Sequence, residues 1–361
     1  MEKKINLFEM IRPALVALLV LSLIAITACS NSSPQTIAPA GGQNPEQITL
    51  KFQHHENPGS DGFQVLATWA ALCEENAGGK LKIEIYPAQT LGKMTDAYDM
   101  VINGVADISW GFVPTFPGQF PITEGGALPM LGITSALQGS RVLQAMYDSL
   151  PEMQNEYKDV HVLFLHSHDP APIGTAGKKI ATMEDVKGLL LRVVGDGQTA
   201  MIKALGASPV PIALTDLYQS MSKGVVSGYA LGWEGIESFK LPEVTDYILD
   251  CNYYTGGFWM LMNQKTWNSL PADIQEAFNS AGGMTGAEMF GRAWDEGELH
   301  GIEAALAANC EIVQLSDEET ARWQELAKPL QEEWAAKLTA QGLDGTAVLQ
   351  KLYELIDEYA E

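Results

Sequence analysis

The chain has 361 residues and a formal net charge of −23, with 45 acidic against 22 basic residues. So acidic a polypeptide has no electrostatic basis for binding nucleic acid or an anionic lipid surface, and an anionic ligand must be held by local groups against the overall field. The length is ample for a packed core in two lobes. Beyond Cys29, the odd set Cys73, Cys251 and Cys310 has no CxxC spacing and allows one bridge without choosing it.

The chain opens with Lys3, Lys4 and Arg12, followed by an apolar run over 14–28. That run is short of the roughly 20 residues of a membrane-spanning helix and matches the core of an export signal. It closes on Ile26-Thr27-Ala28-Cys29, which resembles the bacterial lipobox. The expectation is removal of 1–28, acylation of Cys29, and a flexible Ser-, Pro- and Gly-rich tether over 29–47.

Residues 48–53 alternate as a first strand and end in the polar turn His54-His55-Glu56-Asn57-Pro58. A helical pattern over 62–76 stops at Gly78-Gly79, and 81–86 reads as a second strand. A helix to Ile102 and a strand over 105–110 ending at Trp110 follow. Residues 111–132, rich in Pro, Gly and Phe, read as a structured loop. Next come a helix over 135–150 and a strand over 160–166. The run His168-Asp169-Pro170-Ala171-Pro172 then breaks regular structure and marks a crossing between lobes.

The following strand, 189–194, is Leu-Leu-Leu-Arg-Val-Val between Gly188 and Gly195. Its centre is Arg192. A guanidinium is not neutralised in a protein interior, so it needs an anion, supplied either by the protein or by a ligand. Further on, the pattern predicts a helix over 198–205, a short strand over 209–214 and a helix capped by Thr215 and stopped at Gly224. An aromatic-rich strand over 253–262 and a helical region from Pro271 follow. A last strand over 311–315 precedes a helix opened by Ser316 and Glu319, and a final helix starts after Asp344. Alternating strands and helices with short turns argue an α/β architecture with parallel pairing.

Gly195-Asp196-Gly197-Gln198-Thr199-Ala200 fits a dinucleotide fingerprint, but Arg192 in the preceding strand is foreign to it, and a glycine turn feeding a helix is the simpler reading. His166, His168 and Asp169 have no second cluster to complete a metal site, so neither a metal nor another cofactor is expected. G-x-S-x-G, P-loop and H-E-x-x-H patterns are absent from the sequence. His54 and Glu56 follow the first strand, where an open α/β sheet presents groups to a crevice. Trp110 and Trp233, the latter read as lying in a loop between Gly232 and Gly235, are candidates to wall a pocket with Leu231, His168 and Phe258.

The block from Asp185 to Gly228 carries D-V-K-G-L-L-L-R-V-V, then A-L-G-A-S-P-V-P-I-A-L-T-D-L-Y-Q-S-M and K-G-V-V-S-G. This resembles the solute-binding proteins of tripartite ATP-independent periplasmic (TRAP) transporters, the DctP family. S-D-G-F-Q at Ser60, A-G-G-K-L-K-I-E-I-Y-P at Ala77, L-P-M-L-G at Leu128 and M-N-Q-K-T-W-N-S-L-P-A-D-I-Q at Met262 fit in order. The resemblance implies a two-lobed periplasmic-binding-protein-like α/β fold with hinge strands and a long C-terminal helix spanning the lobes. Lobe I is expected from 48–168 with 257–297, and lobe II from 169–256 with 298–361. It implies no enzyme activity, but capture of a small organic acid and delivery to a TRAP permease in the membrane, outside the cytoplasm.

The family's strand arginine, which pairs with a substrate carboxylate, falls on Arg192. Leu231 stands where many members carry Asn, Ala230 where some keto-acid binders hold a cation with an acidic residue, and Pro172 near the second arginine of sialic-acid binders. These departures disfavour both ligand types, and an apolar, aromatic-lined pocket with one anionic anchor suggests a monocarboxylate with a hydrophobic or aromatic body. An exported lipoprotein hydrolase and a sensor-associated binding protein are the alternatives.

Overall fold

The computed structural model describes residues 47–360. The expected signal segment 1–28, Cys29 and nearly all of the tether lie outside the described residues. Among those described, no helix is long and apolar enough to cross a membrane.

Two sheets organise the chain. The first uses β1 (Ile48–Gln53), β2 (Leu81–Tyr86), β3 (Ile108–Phe112), β4 (Val160–Ser167) and, after a long excursion, β10 (Gly257–Asn263), in the order β2-β1-β3-β10-β4. The second holds β5 (Ile173–Thr175), β6 (Leu190–Arg192), β7 (Ser208–Val210), β8 (Gly228–Ala230), β9 (Tyr247–Asp250) and β11 (Glu311–Gln314), in the order β11-β9-β5-β8-β6-β7. Parallel pairing holds for β1 with β2 and β3, for β6 with β7 and β8, and for β9 with β11. β10 runs antiparallel between β3 and β4, and β5 antiparallel between β8 and β9.

Periodicity explains the clearest elements. β2 alternates Leu81, Ile83 and Ile85 with Lys82 and Glu84, as an edge strand with one wet face does. β10 has no polar face because both its faces are covered: Phe258, Met260 and Met262 join one apolar cluster and Trp259 and Leu261 another. Helix Asp61–Asn76 begins where Ser60 Oγ accepts the Phe63 N–H at 3.0 Å, and it buries Leu66, Trp69 and Cys73 against β1 and its neighbours. Cys73, Cys251 and Cys310 are free thiols.

Two chain segments pass between the sheets: 168–172 joins β4 to β5, and 251–256 joins β9 to β10. They are tied to each other by backbone bonds from His168 N to Gly256 O, Ala171 N to Tyr254 O, and Tyr253 N to Ala171 O. The 25-residue helix Gly283–Ala307 lies against helix Ala136–Ser149 and β4 at one end and helix Trp233–Ser238 at the other. Its glycines permit that approach: a Cβ on Gly301 would stand 2.2 Å from the Trp233 carbonyl oxygen. Helix Asp317–Ala340, which runs through Pro329, also spans both sheets. Its Trp323 packs with Leu191 and Met201, whereas its Trp334 packs with Val142 and Leu352.

Some expectations are corrected. β3 starts three residues later than the predicted strand and continues to Phe112. Only Leu190–Arg192 of the predicted 189–194 strand is paired. Thr215 is inside its helix, not its cap; Leu214–Ser222 begins after Ala213. Ser316 does cap its helix, but the Glu319 carboxylate turns away to accept the Met183 N–H at 3.0 Å and to bind Arg322. Trp233 is the first residue of a helix, not part of a loop.

Candidate functional site

Arg192 ends β6, opposite Tyr229 of β8 and Val210 of β7. The turn after it is made by Gly195 at φ +94°, which lets the chain enter helix Asp196–Ala204. Arg192 is only 4% exposed. Its Nε donates to the Ile212 carbonyl at 3.2 Å, and among the described residues no carboxylate lies within ion-pair distance of its guanidinium. Burial presses its pKa downward, while the neighbouring Tyr254 acts the other way. An uncompensated buried charge of this kind costs several kcal/mol.

Arg192 lines two adjoining spaces. The inner chamber, about 50 Å³, includes Phe112, His168, Asp169, Tyr254, Phe258 and Trp294 in its wall. The outer cleft, about 540 Å³, is bounded by Lys93, Thr115 and residues 212–216 among others. Arg192, His55, Met94, Leu214 and Phe239 line both and stand between them.

The wall is built by β1, β3 and β10. Trp110 and Phe258 stack with ring centroids 4.4 Å apart and planes 2° from parallel, and His55 continues the stack at 4.6 Å from Trp110. Trp110 Nε1 donates to His166 Nε2 at 2.8 Å, which fixes the indole. Burial lowers the pKa of His55 to about 3 and that of His168 to about 4, so both rings are neutral near pH 7. Three carboxyl groups also face the inner chamber: Glu56, Asp169 and Glu234. Burial, then the proximity of Glu234, pushes Glu56 up to about 8. Burial likewise raises Glu234, and it raises Asp169 well above the usual carboxylate range, with Glu298 adding to the effect.

Of the residues singled out in the sequence, Arg192, Leu231, Glu56, His168 and Phe258 line the inner chamber together. Trp110, His54 and Trp233 do not. Trp110 stands one layer back, behind His55 and Phe258. His54 continues the inward face of β1, packs on Phe52 and Phe63, and accepts the Glu56 N–H; the chain turns its neighbour His55 to the cavity instead. Trp233 sits with Tyr229, Ile236 and Leu241 in a core of the second sheet. Glu234, Trp294, Met94, Leu214 and Phe239 were not anticipated. Trp294 had a signal in its i, i+4 spacing from Phe290, but nothing local marks Glu234.

Two α/β sheets, crossing segments bonded to each other, and an enclosed cleft with one buried cation make up the two-lobed architecture of periplasmic solute-binding proteins. The chain belongs to the bacterial extracellular solute-binding proteins, family 7 (DctP), whose profile matches residues 52–338. It is similar to the C4-dicarboxylate-binding periplasmic protein DctP of Rhodobacter capsulatus, 24% identical over 298 residues that cover 82% of this chain and 89% of that one. It is also similar to a TRAP solute-binding protein of Rhodoferax ferrireducens solved with copurified benzoate. That structure gives a TM-score of 0.83 at 30% identity, covering 87% of this chain and 98% of that one. A marine-metagenome TRAP solute-binding protein specific for aromatic acid ligands, solved with 3-hydroxybenzoate, has the same TM-score and identity, with 87% and 99% covered. The family is one of extracytoplasmic substrate-binding transport proteins, not enzymes.

Proposed function

We propose that this protein captures an aromatic monocarboxylate and hands it to a TRAP permease. The observation that carries the reading is Arg192, buried without a protein anion where the inner chamber and the outer cleft adjoin. A carboxylate arriving there meets two free Nη groups and can be held bidentately, a strong and orienting contact in a dry site. A cavity that holds benzene is ~150 Å³, so the 50 Å³ inner chamber takes the carboxylate and not the whole ring. The ring then occupies the space between His55, Met94, Leu214 and Phe239, with Trp110 and Phe258 behind it. The benzoate and 3-hydroxybenzoate complexes of the two similar structures support this ligand class. Leu231 and Pro172, where other ligand types need polar partners, do too.

Sequence features support membrane anchoring through an acylated Cys29, with residues 29–47 as the tether. A thermal-shift screen of carboxylates tests the ligand class: benzoate and hydroxybenzoates should raise the melting midpoint most. Greatest stabilisation by sialate or a polyhydroxy diacid would overturn the reading.

A further inference from the structure

The inner chamber presents a second polar group with an atom to spare. Asp169 lies in the first crossing segment and is fully buried. Its Oδ2 accepts the N–H of Trp233, capping the helix there, and its backbone oxygen accepts from His168 Nδ1. Its Oδ1 has no partner. Gly232 packs directly on that carboxyl: a Cβ there would stand 2.8 Å from Oδ1 and 3.0 Å from Oδ2.

Apart from Arg192, the titratable groups around Asp169 are acidic or neutral. Glu298 comes from the long helix, Glu234 from the helix that Asp169 caps, Tyr254 from the second crossing segment and His168 from its own; Glu56 and Arg192 share the chamber. Burial and these acids push its pKa upward and so favour the protonated carboxyl. Because Oδ2 already receives an N–H, the proton belongs on Oδ1, which finds no acceptor in the protein. Arg192, with Nε spent on Ile212, can satisfy only part of a carboxylate, which offers about four lone-pair positions.

Building on the reading of Arg192 as the carboxylate anchor, we propose that Asp169 is the second anchor, a neutral carboxylic acid whose Oδ1–H donates to a ligand carboxylate oxygen. A buried O–H···O⁻ bond of this kind changes affinity by about 10- to 100-fold. The arrangement is self-consistent: an anion brought to the chamber favours the protonated form of Asp169 further, whereas an ionised Asp169 would repel it.

The test uses benzoate as the probe and infrared difference spectroscopy with titration calorimetry as readouts. The wild-type protein should show a protonated-carboxyl C=O band that shifts on benzoate addition. That band should be missing in Asp169→Asn and kept in Glu56→Gln and Glu234→Gln. Asn preserves the acceptor for Trp233 and supplies an N–H donor, so Asp169→Asn should bind within threefold of wild type. Asp169→Leu should bind at least tenfold more weakly; if it does not fold, the spectra decide. A band that benzoate does not move, one that persists unchanged in Asp169→Asn, or a folded Asp169→Leu with wild-type affinity overturns the proposal. Failure of Asp169 alone leaves benzoate binding intact and still dependent on Arg192. Failure of the underlying reading shows as a wild-type protein that does not bind benzoate.

Discussion

Arg192 and Arg322 show two fates for the same side chain. Arg322, on helix Asp317–Ala340, is open to water and gripped by two protein carboxylates: Nη2 donates to Glu184 at 2.7 Å, and Nη1 pairs with Glu319. Those acids raise its pKa further. Arg192 is buried, has one backbone partner, and loses solvation without recovering an ion pair. A surface pair contributes little and can be spared, whereas an uncompensated buried charge persists where something outside the chain answers it. The difference separates an arginine that ties two helices together from one kept for a ligand.

The largest expected effect breaks the comparison at its buried end. Arg192→Met should weaken benzoate binding by more than about 100-fold, since a desolvated charge-assisted bidentate contact is lost. It should leave the melting midpoint of the ligand-free protein unchanged or higher, because a buried charge has been replaced by an apolar group of similar length. Calorimetry and thermal unfolding read the two halves separately.

Next in size is the wall. Trp110→Ala should cost about 3–5 kcal/mol of stability, measured by denaturant unfolding, because the indole is fully buried and stacks on both His55 and Phe258. Trp233→Phe, whose side chain packs in a core of the second sheet and does not line the chamber, should leave the benzoate Kd within twofold.

A smaller effect follows from the buried acids. Glu56 has a folded-state pKa of about 8 against an ordinary 4.5, so the folded protein holds a proton that the unfolded chain has released. That contribution is complete below 4.5 and is lost as pH rises towards 8. His55 and His168 have the opposite sign: depressed below 6.5, they contribute fully above that value and lose it on acidification. Between pH 6.5 and 8 the histidines are therefore flat and the acids dominate. The melting midpoint should fall across that window, and Glu56→Gln should make the fall shallower. The smallest effect is at the exposed end of the comparison, where Arg322→Ala should leave ligand affinity unchanged and lower the midpoint only slightly.

The sequence made the first sheet more legible than the second. β1 and β2 span the residues that alternation predicts, since six-residue strands with one wet face leave a clear period. β5, β8 and β9 went unseen because three or four paired residues are too few to show a period, and their identity is set by neighbours far away in sequence. The aromatic stretch predicted as a strand over 253–262 is two things: a crossing segment holding Tyr253 and Tyr254, and β10 from Gly257.

In the site, Arg192 was readable because charge inside an apolar run is a local contradiction. His54 and His55 were not separable from composition, because the turn after β1 decides which imidazole faces the cleft. Trp233 misled because its flanking glycines suggested a loop. Those glycines serve close packing instead: Gly232 sits beside the capping carboxylate of Asp169, and Gly235 lies against Leu231. Glu234 and Phe239 carry no local mark and reach the cavity through the helix that Asp169 caps.

The central claim is that the anion answering Arg192 arrives with the ligand. Titration calorimetry of wild type and Arg192→Met with benzoate, both first stripped of copurified solute, tests it most directly. Wild type should show one-to-one saturable binding, and a folded Arg192→Met no measurable binding. Equal affinities in the two proteins would contradict it.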